Sequence, residues 1–239
     1  MPRRSSVSTP GNGRISATGR AVWHFGSGPR VLLQHGWDGC AAQLLELADA
    51  LQAAGYAVTL LDAPAHGQSD GARTSVVDMG EALLALSQAL GDVQAVVGHS
   101  AGSAASLWAM RRGLRLRASV HLCGPSSLRP MLLGAASAFG LDAEQAQPLL
   151  RWAEAHIGQP LEALDVENLR SGLRHPGLIL HDPQDRQVPF AASKALHQHW
   201  PDSQLLSLTG LGHNRLLADR QVLADIVAFL DNHLGRARN

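Results

Sequence analysis

Ser100 lies in a Gly-His-Ser-Ala-Gly pentapeptide, residues 98–102, between an apolar run at 93–97 and a segment typical of a helix. Glycine on both sides lets the chain turn sharply, which exposes the serine hydroxyl and directs helix N–H groups toward developing negative charge. A serine alcohol is a weak nucleophile at neutral pH and needs a nearby base. The segment therefore makes Ser100 a candidate nucleophile, with a simple helix cap as the alternative.

Partners for this serine occur later in the chain. His213 lies in a Gly-flanked loop before the last helical segment, and Asp182 and Asp185 share an acidic turn that follows the apolar run 178–180. Loops that follow parallel strands meet at one edge of a sheet, so these side chains can approach the serine. The pattern indicates nucleophilic catalysis with His213 as the base and one of the two carboxylates orienting it.

The rest of the chain alternates short apolar strands with amphipathic helices. This alternation predicts the α/β class, with a mostly parallel central sheet covered by helices on both faces. The predicted strands are 21–25, 31–34, 56–61, 93–97, 118–122, 177–181 and 204–208. The predicted helices outside the 125–176 region are 43–54, 76–90, 101–112, 190–200 and 215–234.

Strand signals are missing between residues 125 and 176, and this segment predicts a small helical cap. Three helical patterns occur there, at 131–139, 142–156 and 161–173. The segment leaves the carboxyl ends of the strands, where α/β sheets bind ligands, although a plain two-helix crossover is the alternative. We expect Met131, Phe139 and Trp152 of the cap, and His99 of the pentapeptide, to line a substrate pocket. The alternatives are that the cap residues only seal the cap onto the domain and that His99 packs beneath the bend.

Length and composition predict the number of domains and the role of the cysteines. Its 239 residues are 45% hydrophobic, which predicts one domain, residues 21–239, behind a flexible tail of residues 1–20. The two cysteines, Cys40 and Cys123, are too few for a disulfide framework and too far apart for a metal-binding pair, so we expect buried thiols. No metal or cofactor is expected.

Charge and hydropathy exclude two classes of partner. Twenty Lys and Arg residues balance twenty Asp and Glu residues, so no net field attracts nucleic acid. No run approaches the roughly 18 apolar residues of a membrane span, and no apolar run follows the basic start as in a secretory signal. We therefore expect a soluble, cytoplasmic protein.

These features together resemble the α/β-hydrolase family over roughly residues 21–234. The Ser, acid, His order is the family's order, and His35-Gly36-Trp37 looks like its HG-X segment. The resemblance implies an oxyanion hole formed by the backbone N–H groups of Trp37 and Ala101. It also favours Asp185 over Asp182, because the family's acid stands shortly before a Val-Pro pair.

One turn departs from the family pattern. The family's turn after the next strand usually reads D-x-P-G-H-G-x-S, and residues 62–69 match it except that Ala65 replaces the first glycine. We expect this departure to be small and structural.

The resemblance implies a serine hydrolase that cleaves small-molecule carboxylic esters with short to medium acyl chains. In this interpretation Ser100, Asp185 and His213 are the catalytic residues. Thioesterases, C–C bond hydrolases and acyltransferases use the same triad, and a non-catalytic small-molecule receptor with this fold is the alternative outside enzymes. Relatives that open epoxides or displace halide carry Asp at the elbow, so the serine argues against both. The natural substrate and the oligomeric state stay open.

Overall fold

A central eight-stranded sheet organises the chain, whose computed structural model describes residues 14–15 and 19–235. The strands are β1 Arg14–Ile15, β2 Ala21–Phe25, β3 Arg30–Gln34, β4 Ala57–Leu61, β5 Val93–His99, β6 Ala118–Leu122, β7 Gly177–His181 and β8 Ser203–Ser207. Their order is β1-β2-β4-β3-β5-β6-β7-β8, and only the first two pairings among these strands are antiparallel. The α/β class predicted from the sequence is confirmed.

The tail predicted at residues 1–20 falls mostly outside the described residues. Within that range the structure describes Arg14–Ile15, Gly19 and Arg20. Arg14–Ile15 forms β1 and pairs with β2 in the register Arg14 to Val22. The structure therefore extends the sheet by a strand that the sequence pattern did not indicate.

The helices follow the predicted alternation. They are α1 Leu45–Ala53, α2 Val76–Leu90, α3 Ala101–Arg111, α4 Arg129–Ala138, α5 Gln147–Ile157, α6 Val166–Leu169, α7 Phe190–Gln198 and α8 Arg220–Leu234. The final helix, predicted from 215, is divided into a 3₁₀ turn at 215–218 and α8. The division occurs because the Asp219 carboxylate accepts the backbone N–H groups of Gln221 and Val222 and so starts a new helix.

Both faces of the sheet are buried, because neighbouring residues of each central strand point to opposite sides. On β3, Val31 and Leu33 belong to the core that packs with α1 and α8. Leu32, between them, belongs to the core on the other face, which packs with α2, α3 and α7. This two-sided burial holds the carboxyl ends of β3, β5 and β7 rigidly at one edge.

The segment between β6 and β7 is helical. It contains α4, α5, α6 and two 3₁₀ turns, and α5 packs on the turn at 161–164 through Leu150, Ala153 and Leu161. None of the helices in the described part of the chain combines the length and the apolar character needed to cross a bilayer.

Candidate active site

Ser100 occupies the sharp turn between β5 and α3. Its backbone has φ 53° and ψ −121°, in a region that residues with a side chain rarely adopt and that surrounding structure must stabilise. Its N–H donates to the carbonyl oxygen of Leu122 at 2.8 Å, and its side chain makes no capping hydrogen bond to α3. The helix-cap alternative therefore does not describe this serine.

Gly98 and Gly102 are required by close backbone packing at this turn. A Cβ atom on Gly98 would lie 2.6 Å from the carbonyl oxygen of Gly102, and one on Gly102 would lie 2.4 Å from the carbonyl oxygen of Gln34. Neither contact leaves room for a side chain, so α3 starts directly against β3 and β5. This packing explains the spacing of the two glycines around Ser100.

Asp185 and His213 form a buried hydrogen-bonded pair. His213 Nδ1 lies 2.6 Å from Asp185 Oδ2, and the other carboxylate oxygen accepts the backbone N–H groups of Gln187 and Val188 at 2.7 and 3.1 Å. Burial raises the pKa of Asp185, but the hydrogen bonds from His213 and these two N–H groups outweigh it and hold the pKa below its usual value. The carboxylate is therefore ionised at neutral pH and orients His213 with Nε2 free to accept a proton.

Asp182 has a different set of partners. Its Oδ2 accepts the backbone N–H groups of Leu211 and Gly212 at 2.5 and 2.7 Å, and its Oδ1 accepts that of Gln184 at 2.8 Å. Burial raises the pKa of Asp182, but these three donors bring it below the usual value. Asp182 thus ties the acid turn to the loop that carries His213, whereas Asp185 contacts the imidazole itself.

His99 connects Ser100 to the histidine loop. Its Nε2 donates to the backbone carbonyl oxygen of His213 at 2.8 Å, and the two rings lie 4.8 Å apart. Burial lowers the pKa of His99 to about 4, which keeps its ring neutral. His99 does not line the cavity and packs against the histidine loop, which matches the alternative of a residue packed beneath the elbow. Among the described residues, Ser100 Oγ and His213 Nε2 share no hydrogen bond; such contacts often tighten only when substrate binds.

Two candidate backbone donors lie beside the serine, that of Trp37 in the loop after β3 and that of Ala101 where the elbow loop enters α3. No hydrogen bond within residues 19–235 uses the N–H of Trp37 or of Ala101, and both residues line the same cavity as the serine. His35 braces the first of these loops: its Nδ1 donates to the Gly36 carbonyl oxygen at 2.7 Å and its Nε2 accepts the Ala63 N–H at 2.9 Å. Burial lowers the pKa of His35, so the ring stays neutral.

A cavity of about 570 Å³ opens beside Ser100 under the cap. Met131 and Trp152, both predicted for the pocket, line it. Phe139, also predicted, is 87% exposed at the end of α4 and does not line it. The apolar part of the wall consists of Val76, Leu128, Met131, Leu132, Ile157 and Leu161. This lining suits a hydrocarbon group next to the serine.

The comparisons with known proteins agree with this fold. Residues 29–137 match a family model described as the alpha/beta hydrolase fold. The chain has the α/β-hydrolase fold. A monoacylglycerol lipase of Mycolicibacterium smegmatis is 26% identical over 258 residues, which cover 89% of this chain and 92% of that protein.

Two solved structures show the same α/β-hydrolase fold at low sequence identity. The monoacylglycerol lipase of Paleococcus ferrophilus superposes with a TM-score of 0.65 at 21% identity, over 89% of this chain and 98% of that one. The bromoperoxidase of Bacillus anthracis superposes with a TM-score of 0.67 at 19% identity, over 94% and 100%. Since proteins of both names share the fold, the fold alone does not specify the reaction.

Sequence reasoning missed several residues of the cavity wall, among them His156. His156 stacks on Trp152 with ring centroids 5.1 Å apart and planes 7° from parallel. Its Nε2 donates to the carbonyl oxygen of Thr74 at 2.9 Å, which joins α5 to the loop before α2 across the cavity. The i, i+4 spacing of these two rings on a predicted helix was the signal that could have found the pair.

Cys123 is the other unanticipated neighbour of the site. Both cysteines are free; this one is buried, as expected, whereas Cys40 is half-buried. The Cys123 sulfur lies within 4.8 Å of ligand atoms of Asp185 and His213, a set of types that can bind a metal. Burial raises the pKa of the Cys123 thiol, so the sulfur keeps its proton. The His213 N–H already donates to the Asp185 carboxylate.

Proposed function

We propose that this protein is a serine hydrolase that cleaves carboxylic esters with short to medium acyl chains through an acyl-enzyme intermediate. The observation that supports it best is the 2.6 Å hydrogen bond between His213 and Asp185, at the sheet edge where Ser100 is held at φ 53°. This is the set of groups that turns a serine alcohol into a nucleophile. The likeness to a monoacylglycerol lipase supports the same class of reaction.

In the first step Ser100 Oγ attacks the ester carbonyl carbon. His213 Nε2 takes the serine proton, and Asp185 stabilises the imidazolium that forms and holds its Nδ1–H in place. The carbonyl oxygen becomes an oxyanion that accepts hydrogen bonds from the N–H groups of Trp37 and Ala101. Donors already aimed at such an oxygen contribute on the order of 3 kcal/mol each to transition-state stabilisation.

Collapse of this intermediate releases the alcohol. His213 Nε2 gives its proton to the leaving oxygen as the C–O bond breaks, and the acyl group stays bonded to Ser100. A water molecule then attacks the acyl carbon while His213 takes one of its protons. The second collapse breaks the bond to Ser100, returns the proton to Oγ and frees the carboxylic acid.

The cavity supports the choice of acyl chain. Its volume of about 570 Å³ and its aliphatic wall of cap and α2 residues offer space for a hydrocarbon chain next to the serine. Each CH₂ that leaves water for such a wall contributes about 0.8 kcal/mol. Turnover should therefore rise with chain length until the chain outgrows the cavity.

The test is a panel of p-nitrophenyl esters from acetate to palmitate, together with fluorophosphonate labelling read by intact mass. We expect turnover of short and medium chains and one label per chain, both lost in Ser100→Ala. Ser137→Ala, at an exposed serine of α4, is the matched control and should keep both. Retention of most of the activity in Ser100→Ala would disprove the proposal.

Two other results would redirect the assignment. Labelling of Ser100 without ester turnover would favour the same triad acting on thioesters, on C–C bonds or toward an acyl acceptor other than water. Neither labelling nor turnover, combined with a ligand-dependent rise in Tm, would favour a receptor.

A further inference from the structure

His181 ends β7 and is fully buried behind the site. Its Nε2 lies 3.0 Å from the carbonyl oxygen of Val188 and 3.3 Å from Asp185 Oδ2, and its Nδ1 lies 2.7 Å from Ser193 Oγ. A carbonyl oxygen only accepts hydrogen bonds, so Nε2 carries the hydrogen and the Ser193 hydroxyl donates to Nδ1. Ser193 therefore sets the tautomer that points an N–H at the acid turn.

The backbone of Val188 connects Asp185 to His181. Its backbone N–H donates to Asp185 Oδ1 at 3.1 Å, while its carbonyl oxygen accepts from His181. Asp185 Oδ2 accepts the N–H of His213 at 2.6 Å and lies 3.3 Å from His181 Nε2, whose N–H donates to the Val188 carbonyl oxygen. His181 thus touches both the main chain of the acid turn and the carboxylate oxygen that the other histidine uses.

We infer that His181, oriented by Ser193, is a positioning residue for Asp185. It restrains the carboxylate and draws negative charge away from the oxygen that accepts from His213, which limits how strongly that oxygen attracts the imidazole N–H. The inference rests on the proposed function, because it assigns His181 a part in the same triad.

The other titratable groups near Asp185 have partners or states that leave the role of His181 unchanged. Cys123, after β6, presents a thiol whose pKa burial raises, and Asp182, in the same turn, is committed to the backbone of the histidine loop. Burial also lowers the pKa of His181, so this ring acts as a neutral donor. His99 donates to the backbone carbonyl oxygen of His213, and its ring lies 4.8 Å from the His213 ring.

His181→Leu removes the donor, and His181→Gln keeps a side-chain N–H. The first readout is the low-field proton NMR signal of His213 Nδ1–H, identified by its loss in a His213→Gln variant. We expect this signal to move downfield in His181→Leu, because Asp185 becomes a stronger acceptor, and to return toward the wild-type position in His181→Gln. This readout needs no turnover.

Kinetics give the second readout. In His181→Leu we expect kcat to fall about 10-fold with KM changed less than about twofold, since the residue does not touch the cavity. The acid limb of the kcat/KM profile should move up by about half a pH unit. His175→Leu removes another buried His–Ser pair, with Ser119 at 2.9 Å, and should leave both the signal and the acid limb in place.

Ser193→Ala covers the case in which His181→Leu does not fold. It removes only the group that sets the tautomer, and we expect a smaller change in the same direction. If His181→Leu and Ser193→Ala both fold and both keep the wild-type position of the His213 Nδ1–H signal, the inference is overturned. If only Ser193→Ala folds, a wild-type signal position in that variant overturns it. Fluorophosphonate labelling of the wild type tests the proposed function separately, since it does not depend on His181.

Discussion

His99 donates a hydrogen bond from Nε2 to the backbone carbonyl oxygen of His213 at 2.8 Å. One of these residues precedes Ser100 directly and the other lies in the loop after β8, 114 positions later. Because the bond joins the elbow to the histidine loop, it sets the distance between the serine and the imidazole without touching the cavity.

Replacing His99 by Leu should therefore lower kcat about 10-fold and leave KM within about twofold, since misplacement of reacting groups reduces the rate more than binding. His99→Gln, which keeps an N–H donor, should recover part of the loss. His197→Leu, at an exposed histidine of α7, is the control. Wild-type kcat in a folded His99→Leu variant would contradict the role of this bond.

Asp185→Asn and Asp182→Asn should separate the two carboxylates. Loss of the charge beside His213 should reduce kcat by about 10⁴-fold, as expected when the imidazole loses its orienting acid. Loss of the Asp182 carboxylate should instead lower the free energy of unfolding by about 1–3 kcal/mol, because the N–H groups of Leu211 and Gly212 lose a charged acceptor. Urea unfolding and ester kinetics on both variants test this. A large loss of kcat in Asp182→Asn with only a loss of stability in Asp185→Asn would show that Asp182 is the orienting acid.

Ala65→Gly should stabilise the protein. Ala65 has φ 59°, a left-handed conformation that costs a residue with a Cβ about 1–2 kcal/mol, whereas glycine adopts it freely. Glycine is also more flexible in the unfolded chain, which reduces the net gain to about 0.5–1 kcal/mol. Urea unfolding measures this change. Ala72→Gly, at an alanine outside the positive-φ set, should not stabilise. A less stable Ala65→Gly variant would show that the strain is relieved by contacts of the methyl group.

Stability should fall as pH falls from 7 to 5. Burial lowers the pKa values of His99, His121 and His175 to about 4, about 3 and about 4, against 6.5 for the ordinary side chain. In this window the unfolded chain binds protons that the folded chain does not, so unfolding is favoured by up to about 1.4 kcal/mol per pH unit for each histidine.

Urea unfolding at pH 7, 6 and 5 tests this dependence. His121→Leu should make the slope of unfolding free energy against pH shallower, although it also removes hydrogen bonds with Ser103 and Ser119 and lowers stability overall. His197→Leu serves as the matched surface control. An unchanged slope in His121→Leu would mean that this ring is protonated in the folded state.

Much of the fold follows from local patterns. Strands β2, β6 and β7 begin and end where the sequence predicts. β6 and β7 are buried at every position, as expected for strands covered on both faces, whereas β2 is partly exposed. Helix α5 was predicted from 142 but begins at Gln147. The Asp142 side chain accepts the backbone N–H groups of Glu144 and Gln145 and holds a turn there instead.

The sequence by itself determined the α/β class and the loops that carry Ser100, Asp185 and His213, because each follows a strand end and parallel strands bring their carboxyl ends to one edge. The family resemblance favoured Asp185 as the acid, and the tertiary structure shows that Asp185 meets the imidazole while Asp182 binds backbone. Tertiary structure alone decided that Phe139 faces outward and that His181 reaches the acid. These outcomes depend on side-chain direction and on contacts between distant segments. Such contacts are set by the packing of the whole sheet edge, which no local pattern of residues encodes.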